Sequence, residues 1–159
     1  MKKLSILLVT LLIAFAGCKK DSNVQNAIDN KLILAYIQAN NLTTQTTGDG
    51  LYYVVTAPGD ATRPLLTSIA YVKYRGYIMN GTVKGNQFDS SYELYEQGAQ
   101  FNPVSGLIKG FSEGLMKFGK GGKGTLIIPS TLGYGAQGAG ADIKPNQPLI
   151  FDVELVDFK

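Results

Sequence analysis

The sequence predicts an α+β fold. Two segments, Ile69 to Ile78 and Leu149 to Phe158, alternate apolar and polar residues as half-buried strands do. A short helical stripe of apolar residues lies between them. The chain has 159 residues, 45% of them hydrophobic, which is enough for one compact domain with a core. A short helix on one face of an antiparallel sheet is an α+β arrangement.

The N-terminus is typical of a secretory signal. A basic start precedes an apolar run from Leu4 to Phe15, which is shorter than the roughly 20 residues that a membrane-spanning helix needs. Phe15-Ala16-Gly17-Cys18 resembles the bacterial lipobox, which implies cleavage before Cys18 and acylation of that cysteine. The protein would then be lipid-anchored in the bacterial cell envelope, contacting the membrane only through its anchor. The outer membrane is favoured over the inner one, with the domain facing the periplasm or the exterior. The alternative is that Cys18 is an ordinary thiol.

The chain divides into four predicted parts. They are a lipoprotein signal peptide at 1–17, a polar tether at 18–26, an N-terminal helix with a linker at 27–49, and a folded domain at 50–159. In the helix, apolar residues at spacings of three and four predict one buried face, formed by Ile28, Leu32, Ala35, Tyr36 and Ala39.

Within the domain, β-branched and aromatic residues predict further strands at Leu51 to Thr56 and Thr125 to Ile128. Asn80-Gly81 between extended segments predicts a hairpin turn. Ser105 is the expected N-cap of the short helix. The apolar stripe of that helix consists of Leu107, Ile108, Phe111 and Leu115.

The composition excludes several classes of chemistry. The chain has no histidine, so it can hold neither a Ser-His-Asp triad nor a histidine-based metal site. Its single cysteine, Cys18, excludes an intramolecular disulfide and a cysteine-rich metal site. We therefore expect no metal and no other cofactor.

Charge and glycine content argue against nucleic acids and nucleotides. Without Lys2 and Lys3 the 15 basic residues fall to 13, against 12 acidic ones, and no basic run remains for a phosphate backbone. Gly114 to Gly121 approaches a phosphate-binding loop, but Gly121 stands where a Ser or Thr is required. A flexible loop at Gly119 to Gly124 is the expected structure.

Six motifs stand in order between residues 74 and 155. They are Tyr74-Arg75-Gly76, Asn80-Gly81, Phe88-Asp89-Ser90-Ser91, Leu107 to Leu115, Ile128-Pro129-Ser130 with Gly133-Tyr134-Gly135, and Pro145-Asn146 with Leu149 to Leu155. In this order they resemble the FKBP family of peptidyl-prolyl cis/trans isomerases, which bind the macrolides tacrolimus and rapamycin. The resemblance covers roughly residues 50 to 159. It implies a five-stranded antiparallel half-barrel wrapped around a short helix, with a pocket between helix and sheet.

The resemblance also implies which residues form the site. Asp89, the Tyr134 hydroxyl and the backbone N–H of Ile108 would be the catalytic groups, since in the family the last two meet ligand carbonyls. The substrate-binding side chains would be those of Tyr74, Phe88, Phe101, Leu107, Phe111, Ile143 and Phe151, with Phe111 as the floor. Taken singly, the aromatic residues on apolar faces would be core in any fold. Asp89 has no packing reason to follow Phe88, although it could bond a turn through Ser90 or Ser91.

The implied activity is rotation about X-Pro bonds in proline-containing unfolded or partly folded envelope proteins. That reaction breaks no bond, so a protein without histidine can perform it. The alternative is a peptide-binding or chaperone module of the same fold with little or no turnover, and a third interpretation is a purely structural lipoprotein. The same pocket could take macrolides such as rapamycin.

Four positions depart from the family pattern. Phe111 stands where many members have tryptophan, and Ala99 where an aromatic residue is common. Leu94 lies near a position that is often basic, and Asp142 at one that is usually apolar. These departures bear on macrolide affinity. The N-terminal helix resembles the extension through which many bacterial members dimerise, but a short helix can equally pack on its own domain, so monomer and dimer both stay open.

Overall fold

The computed structural model describes residues 17–92, 96–102 and 104–159, with side chains from Ser22 onward. Its two α-helices are α1 at Gly17–Ala39 and α2 at Lys109–Leu115. Its strands are β1 at Gln45–Thr46, β2 at Tyr52–Ala57, β3 at Ala70–Asn80, β4 at Val83–Ser90, β5 at Ala99–Phe101, β6 at Gly122–Ile128 and β7 at Leu149–Phe158. Short 3-10 turns lie at Val104–Gly106, Ser130–Leu132 and Gly135–Gln137.

The strands form one antiparallel sheet in the order β1-β2-β6-β7-β3-β4, with β5 pairing on β3. The α+β class is confirmed. The five strands that the resemblance implied are β2, β3, β4, β6 and β7, and the described residues add the short β1 and β5. The hairpin at Asn80-Gly81 is also present, because Asn80 pairs with Val83 and Gly81 has a φ of 59°.

The inner face of the sheet packs on α2, and close contact is possible because α2 contains two glycines. A Cβ on Gly114 would lie 2.4 Å from Cδ1 of Leu126, and one on Gly110 would lie 2.5 Å from Cγ2 of Ile128. The predicted alternation of these two strands is confirmed, since one face of each lies in a single cluster with α2: Val72, Tyr74 and Ile78 of β3, and Leu149, Phe151, Val153 and Leu155 of β7.

The expected N-cap of α2 is wrong. Ser105 lies in a separate 3-10 turn, where its N–H donates to the Leu66 carbonyl over 3.0 Å. The chain then extends at Ile108, which has φ −56° and ψ 143°, and α2 begins at the next residue. The Ile108 carbonyl accepts the first helical bonds, so the boundary is set by backbone geometry rather than by a side-chain cap.

The helix α1 packs on the outer face of the sheet. Ile33 and Tyr36 are buried there in a cluster with Met79, Ile127 and Ile150. The predicted apolar face is therefore wrong apart from Tyr36, because Ile28 is 50% exposed and Leu32 is 41% exposed.

The helix is also longer than predicted. It begins at Gly17 rather than at Ala27, so residues 18–26 are helical instead of forming an irregular tether. The glycine-rich segment differs too, since β6 already begins at Gly122 within the expected loop. None of the helices in the described ranges is long and apolar enough to cross a membrane. The predicted signal peptide up to residue 16 and the Cys18 side chain lie outside what the structure describes.

Candidate functional site

A cavity of about 110 Å³ lies between α2 and the inner face of the sheet. Strands β3, β4, β5 and β7 each contribute aromatic side chains, and the turn before α2 and the segment after β6 close the remaining sides. The lining residues are Tyr74, Phe88, Asp89, Phe101, Leu107, Ile108, Phe111, Tyr134 and Phe151.

Phe111 is the centre of the aromatic packing and is only 3% exposed. Its ring centroid lies 4.9 Å from Phe151 at an interplanar angle of 77°, and 5.7 Å from Tyr74 at 79°. Phe101 lies 6.0 Å away at 66°. These edge-to-face arrangements are the favoured geometry for aromatic pairs. They fix the floor of the pocket without filling it.

Gly76 leaves the room that two of the wall residues occupy. A Cβ at this position would lie 2.7 Å from Cε1 of Phe151 and 2.8 Å from Cζ of Phe88. Those two rings themselves meet edge to face at 5.6 Å and 88°. The glycine in the Tyr74-Arg75-Gly76 motif is therefore required by the pocket wall rather than by backbone conformation.

Asp89 is held by two donors, one on the neighbouring strand β3 and one on its own strand β4. The Tyr74 hydroxyl donates to its Oδ2 over 2.7 Å, and the Ser90 N–H donates to its Oδ1 over 2.9 Å. Asp89 thus lines the pocket and also accepts a hydrogen bond from the adjacent Ser90 backbone, the bond to a turn that the sequence allowed for.

Ser91 closes β4 onto β3 beside Asp89. This 1% exposed side chain donates to the Val72 carbonyl over 3.0 Å and accepts the Tyr74 N–H over 2.9 Å. Sequence reasoning assigned it no function of its own. A buried hydroxyl with two backbone partners next to a site residue is the signal that identifies it as a support for Tyr74.

Two hydrogen-bond donors at the pocket have no partner within the described part of the chain. They are the Ile108 N–H and the Tyr134 hydroxyl. Tyr134 is 38% exposed, and burial raises the pKa of its hydroxyl above 10.0, with a further increase from the negative charge of Asp89. The hydroxyl therefore stays protonated at neutral pH and can donate to a ligand carbonyl.

The structure brings together all the predicted site residues except Ile143. That residue is 6% exposed in the main core, where its backbone pairs with Ala139. Ala99 lies in β5 opposite Val72 and is absent from the lining, and Asp142 is exposed. Leu94 lies outside the described residues. The cavity can accept a small apolar ring and offer donors to carbonyls beside it.

Comparison with known proteins gives one family. A family model described as FKBP-type peptidyl-prolyl cis-trans isomerase matches residues 61–156. A probable isomerase of this type named FkpA from Neisseria meningitidis is 42% identical over 112 residues, which are 70% of this chain and 39% of that protein. A probable isomerase of the same type from Haemophilus influenzae is 44% identical over 113 residues, covering 71% of this chain and 44% of that protein. The chain thus matches less than half of the length of either curated relative.

Solved structures agree with this fold. The crystal structure of FkpA from Escherichia coli superimposes with a TM-score of 0.66 at 31% identity, covering 89% of this chain and 67% of that one. A peptidyl-prolyl cis-trans isomerase from Pseudomonas syringae superimposes with a TM-score of 0.68 at 25% identity, covering 87% and 96%.

Proposed function

Because the chain belongs to the FKBP-type peptidyl-prolyl cis-trans isomerase family, we propose that its pocket accelerates rotation about X-Pro peptide bonds. The observation that carries this proposal is an aromatic cavity with two donors that have no partner among the described residues, the Ile108 N–H and the Tyr134 hydroxyl. Its substrates are proline-containing segments of unfolded or partly folded proteins.

The pocket favours the twisted amide over the planar one. Amide resonance makes the planar bond strongly dipolar and gives it a rotational barrier of ~18–20 kcal/mol. The twisted transition state lacks that resonance and much of the charge separation. Moving it from water into a dry aromatic pocket therefore costs less solvation free energy than moving the planar form. Any such difference in binding lowers the barrier directly, about tenfold in rate for each ~1.4 kcal/mol.

The pocket residues divide this work between them. The rings of Phe111 and Phe151 hold the proline ring and exclude water. The Tyr134 hydroxyl and the Ile108 N–H donate to substrate carbonyls and so fix the chain on either side of the rotating bond. Asp89 orients the Tyr74 side chain through the bond between them.

The activity is tested with residues 19–159 and a short Leu-Pro or Phe-Pro peptide, by following the cis-to-trans rate. We expect acceleration, inhibition by rapamycin, and a loss of about tenfold or more in kcat/KM for Tyr134→Phe and for Asp89→Ala. A folded protein that leaves the uncatalysed rate unchanged would remove the proposal.

A second candidate function is binding of unfolded chains regardless of proline. It is favoured by an exposed apolar stripe on α1, where Val24, Ile28 and Leu32 are 57%, 50% and 41% exposed at i, i+4 and i+8. Residues 19–159 should then suppress aggregation of a proline-free unfolded protein, and Ile28→Lys should weaken this effect. Sedimentation of the wild-type chain and of Ile28→Lys gives their oligomeric states. A dimer that Ile28→Lys disrupts would show that a second copy of the chain covers the stripe.

The location proposed for the protein is the bacterial cell envelope, with a lipid on Cys18 as its anchor. Support comes from the lipobox-like Phe15-Ala16-Gly17-Cys18 and the apolar run before it. Expression of the full chain in a bacterium should give a membrane-associated product with acyl chains on its N-terminal cysteine. The matched variant Cys18→Ser should lose both the acyl mass and the membrane association.

A further inference from the structure

The helix α1 is hydrogen bonded at two places to segments that carry the pocket walls. Near the middle of the helix Asp29 contacts Ser130, which follows β6 and precedes the Tyr134 segment. At its C-terminal end the Asn40 side chain donates to the Thr82 carbonyl over 2.9 Å, in the turn between β3 and β4. The helix therefore links two parts of the chain that meet again at the pocket on the opposite face of the sheet.

Asp29 is a fully buried carboxylate whose oxygens are all in use. Its Oδ2 accepts the Ser130 N–H over 2.7 Å and the Ser130 hydroxyl over 2.6 Å, while its Oδ1 accepts the Gln25 side-chain amide over 2.7 Å. Charged acceptors make stronger and more directional hydrogen bonds than neutral ones. A second bond supports the same turn, in which the Thr131 hydroxyl donates to the Asn26 side chain.

The turn held by Asp29 leads directly to Tyr134. Ser130–Leu132 is a single 3-10 turn, closed by the Gly133 N–H on the Ser130 carbonyl over 3.0 Å. Leu132 is 6% exposed and inserts into the core beneath. On the other side of Tyr134, the Gly135 carbonyl accepts the Asn146 N–H over 2.8 Å. The backbone on one side of Tyr134 is thus fixed by α1, and on the other side by the segment before β7.

We propose that Asp29 is a positioning residue for the prolyl pocket, acting through Ser130 to hold Tyr134 where its hydroxyl can meet a substrate carbonyl. The role rests on the proposed function, and it makes α1 part of the working unit although α1 does not line the cavity. A displacement of about 1 Å at a substrate-orienting group can lower the rate by up to about a hundredfold.

The first test is a double-mutant cycle in residues 19–159, with kcat/KM for a Leu-Pro peptide as the readout. We expect Asp29→Ala to lower kcat/KM about tenfold in the wild-type background but less than about twofold in the Tyr134→Phe background. Both substitutions would weaken the same interaction, the bond from the Tyr134 hydroxyl to a substrate carbonyl, so their effects should not add. The matched control is Ile33→Val, which trims a buried side chain of the same helix without touching Ser130. Control and wild type should have equal kcat/KM, whereas equal effects of Asp29→Ala in both backgrounds would overturn the proposal.

The second test needs no catalysis. Amide hydrogen exchange should rise in residues 131–138 of Asp29→Ala while β3 and β7 keep their protection, and Ile33→Val should not produce this local pattern. If the wild-type protein were inactive, the proposed function would be refuted. Amide hydrogen exchange would still show whether Asp29 holds the Tyr134 segment in place. If Asp29→Ala does not fold, Asp29→Asn keeps the shape and loses the charge, and a smaller rise in the same residues is expected. Unchanged exchange there would overturn the inference.

Discussion

The Tyr74 hydroxyl donates to Asp89 Oδ2 over 2.7 Å and so joins β3 to β4 at the pocket. Tyr74 also packs against three aromatic rings, with centroid distances of 5.9 Å to Phe101, 5.7 Å to Phe111 and 6.2 Å to Phe151. One side chain therefore sets both the polar edge and the apolar floor of the site. Loss of its hydroxyl should disturb the first and spare the second.

We expect Tyr74→Phe to lower kcat/KM by about two- to tenfold, since an intramolecular hydrogen bond is worth ~0.5–1.5 kcal/mol. The matched control is Tyr77→Phe, which removes a hydroxyl from the same strand on its outer face, where Tyr77 packs in the cluster under α1. Peptide isomerisation rates measure both. Equal activity of Tyr74→Phe and wild type would show that the bond to Asp89 is not used.

Gly76→Ala should damage the pocket from inside the sheet. The added Cβ would press on Phe88 and Phe151, and overpacking of this kind costs about 1–3 kcal/mol. We expect a lower melting temperature together with weaker binding of proline peptides. Gly48→Ala is the control, because a Cβ there meets no atom within 4 Å. Thermal unfolding and peptide titration measure the two effects. Melting temperatures and peptide affinities equal to the wild type in both alanine variants would contradict the expectation.

The contribution of Tyr134 to the free energy of unfolding should change with pH only at high pH. Burial and the charge of Asp89 raise the pKa of its hydroxyl above 10.0 in the folded state, so the unfolded chain ionises first. The resulting stabilisation is complete below about pH 10 and is lost as the pH rises through the folded-state pKa. Unfolding free energies of wild type and Tyr134→Phe should therefore differ by a constant up to about pH 9, with the wild type falling more steeply above it. Parallel curves at higher pH would be inconsistent with a raised pKa.

The face that α1 buries can be tested by two isoleucines. Ile33 is fully buried, and we expect Ile33→Ala to cost about 2–5 kcal/mol of unfolding free energy. Ile28 is 50% exposed, so Ile28→Ala should cost less than about 0.5 kcal/mol. Chemical denaturation of both variants shows which face of α1 is buried, the Ile33 face of the structure or the Ile28 face that the sequence spacing predicted. The opposite order would restore the predicted face.

Much of the site was predictable from sequence because its determinants are local. Alternation along Leu149 to Phe158 fixes which side chains face the core, whatever else the chain does. The predicted turn at Asn80-Gly81 folds the chain back after the strand of Tyr74 and Gly76, and in the structure Gly76 lies opposite Asp89 on the next strand. The order of the motifs therefore indicated the family, and nine of the ten predicted pocket residues line the cavity, all but Ile143.

Tertiary structure decided what local patterns leave ambiguous. Both faces of α1 carry apolar residues, and the sheet selected Ile33 over Ile28 because Ile127 and Ile150 lie on its outer face. The bond between Asp29 and Ser130 spans 101 residues, so no window of sequence could contain it. Ile143 was placed by packing rather than by its local pattern, since its side chain is 6% exposed in the main core cluster instead of lining the pocket. Periodicity in the sequence predicted the class of fold, and the resemblance of the ordered motifs to the FKBP family implied the residues that build the pocket. Which helix face is buried, and what holds Tyr134 in place, were decided by long-range packing.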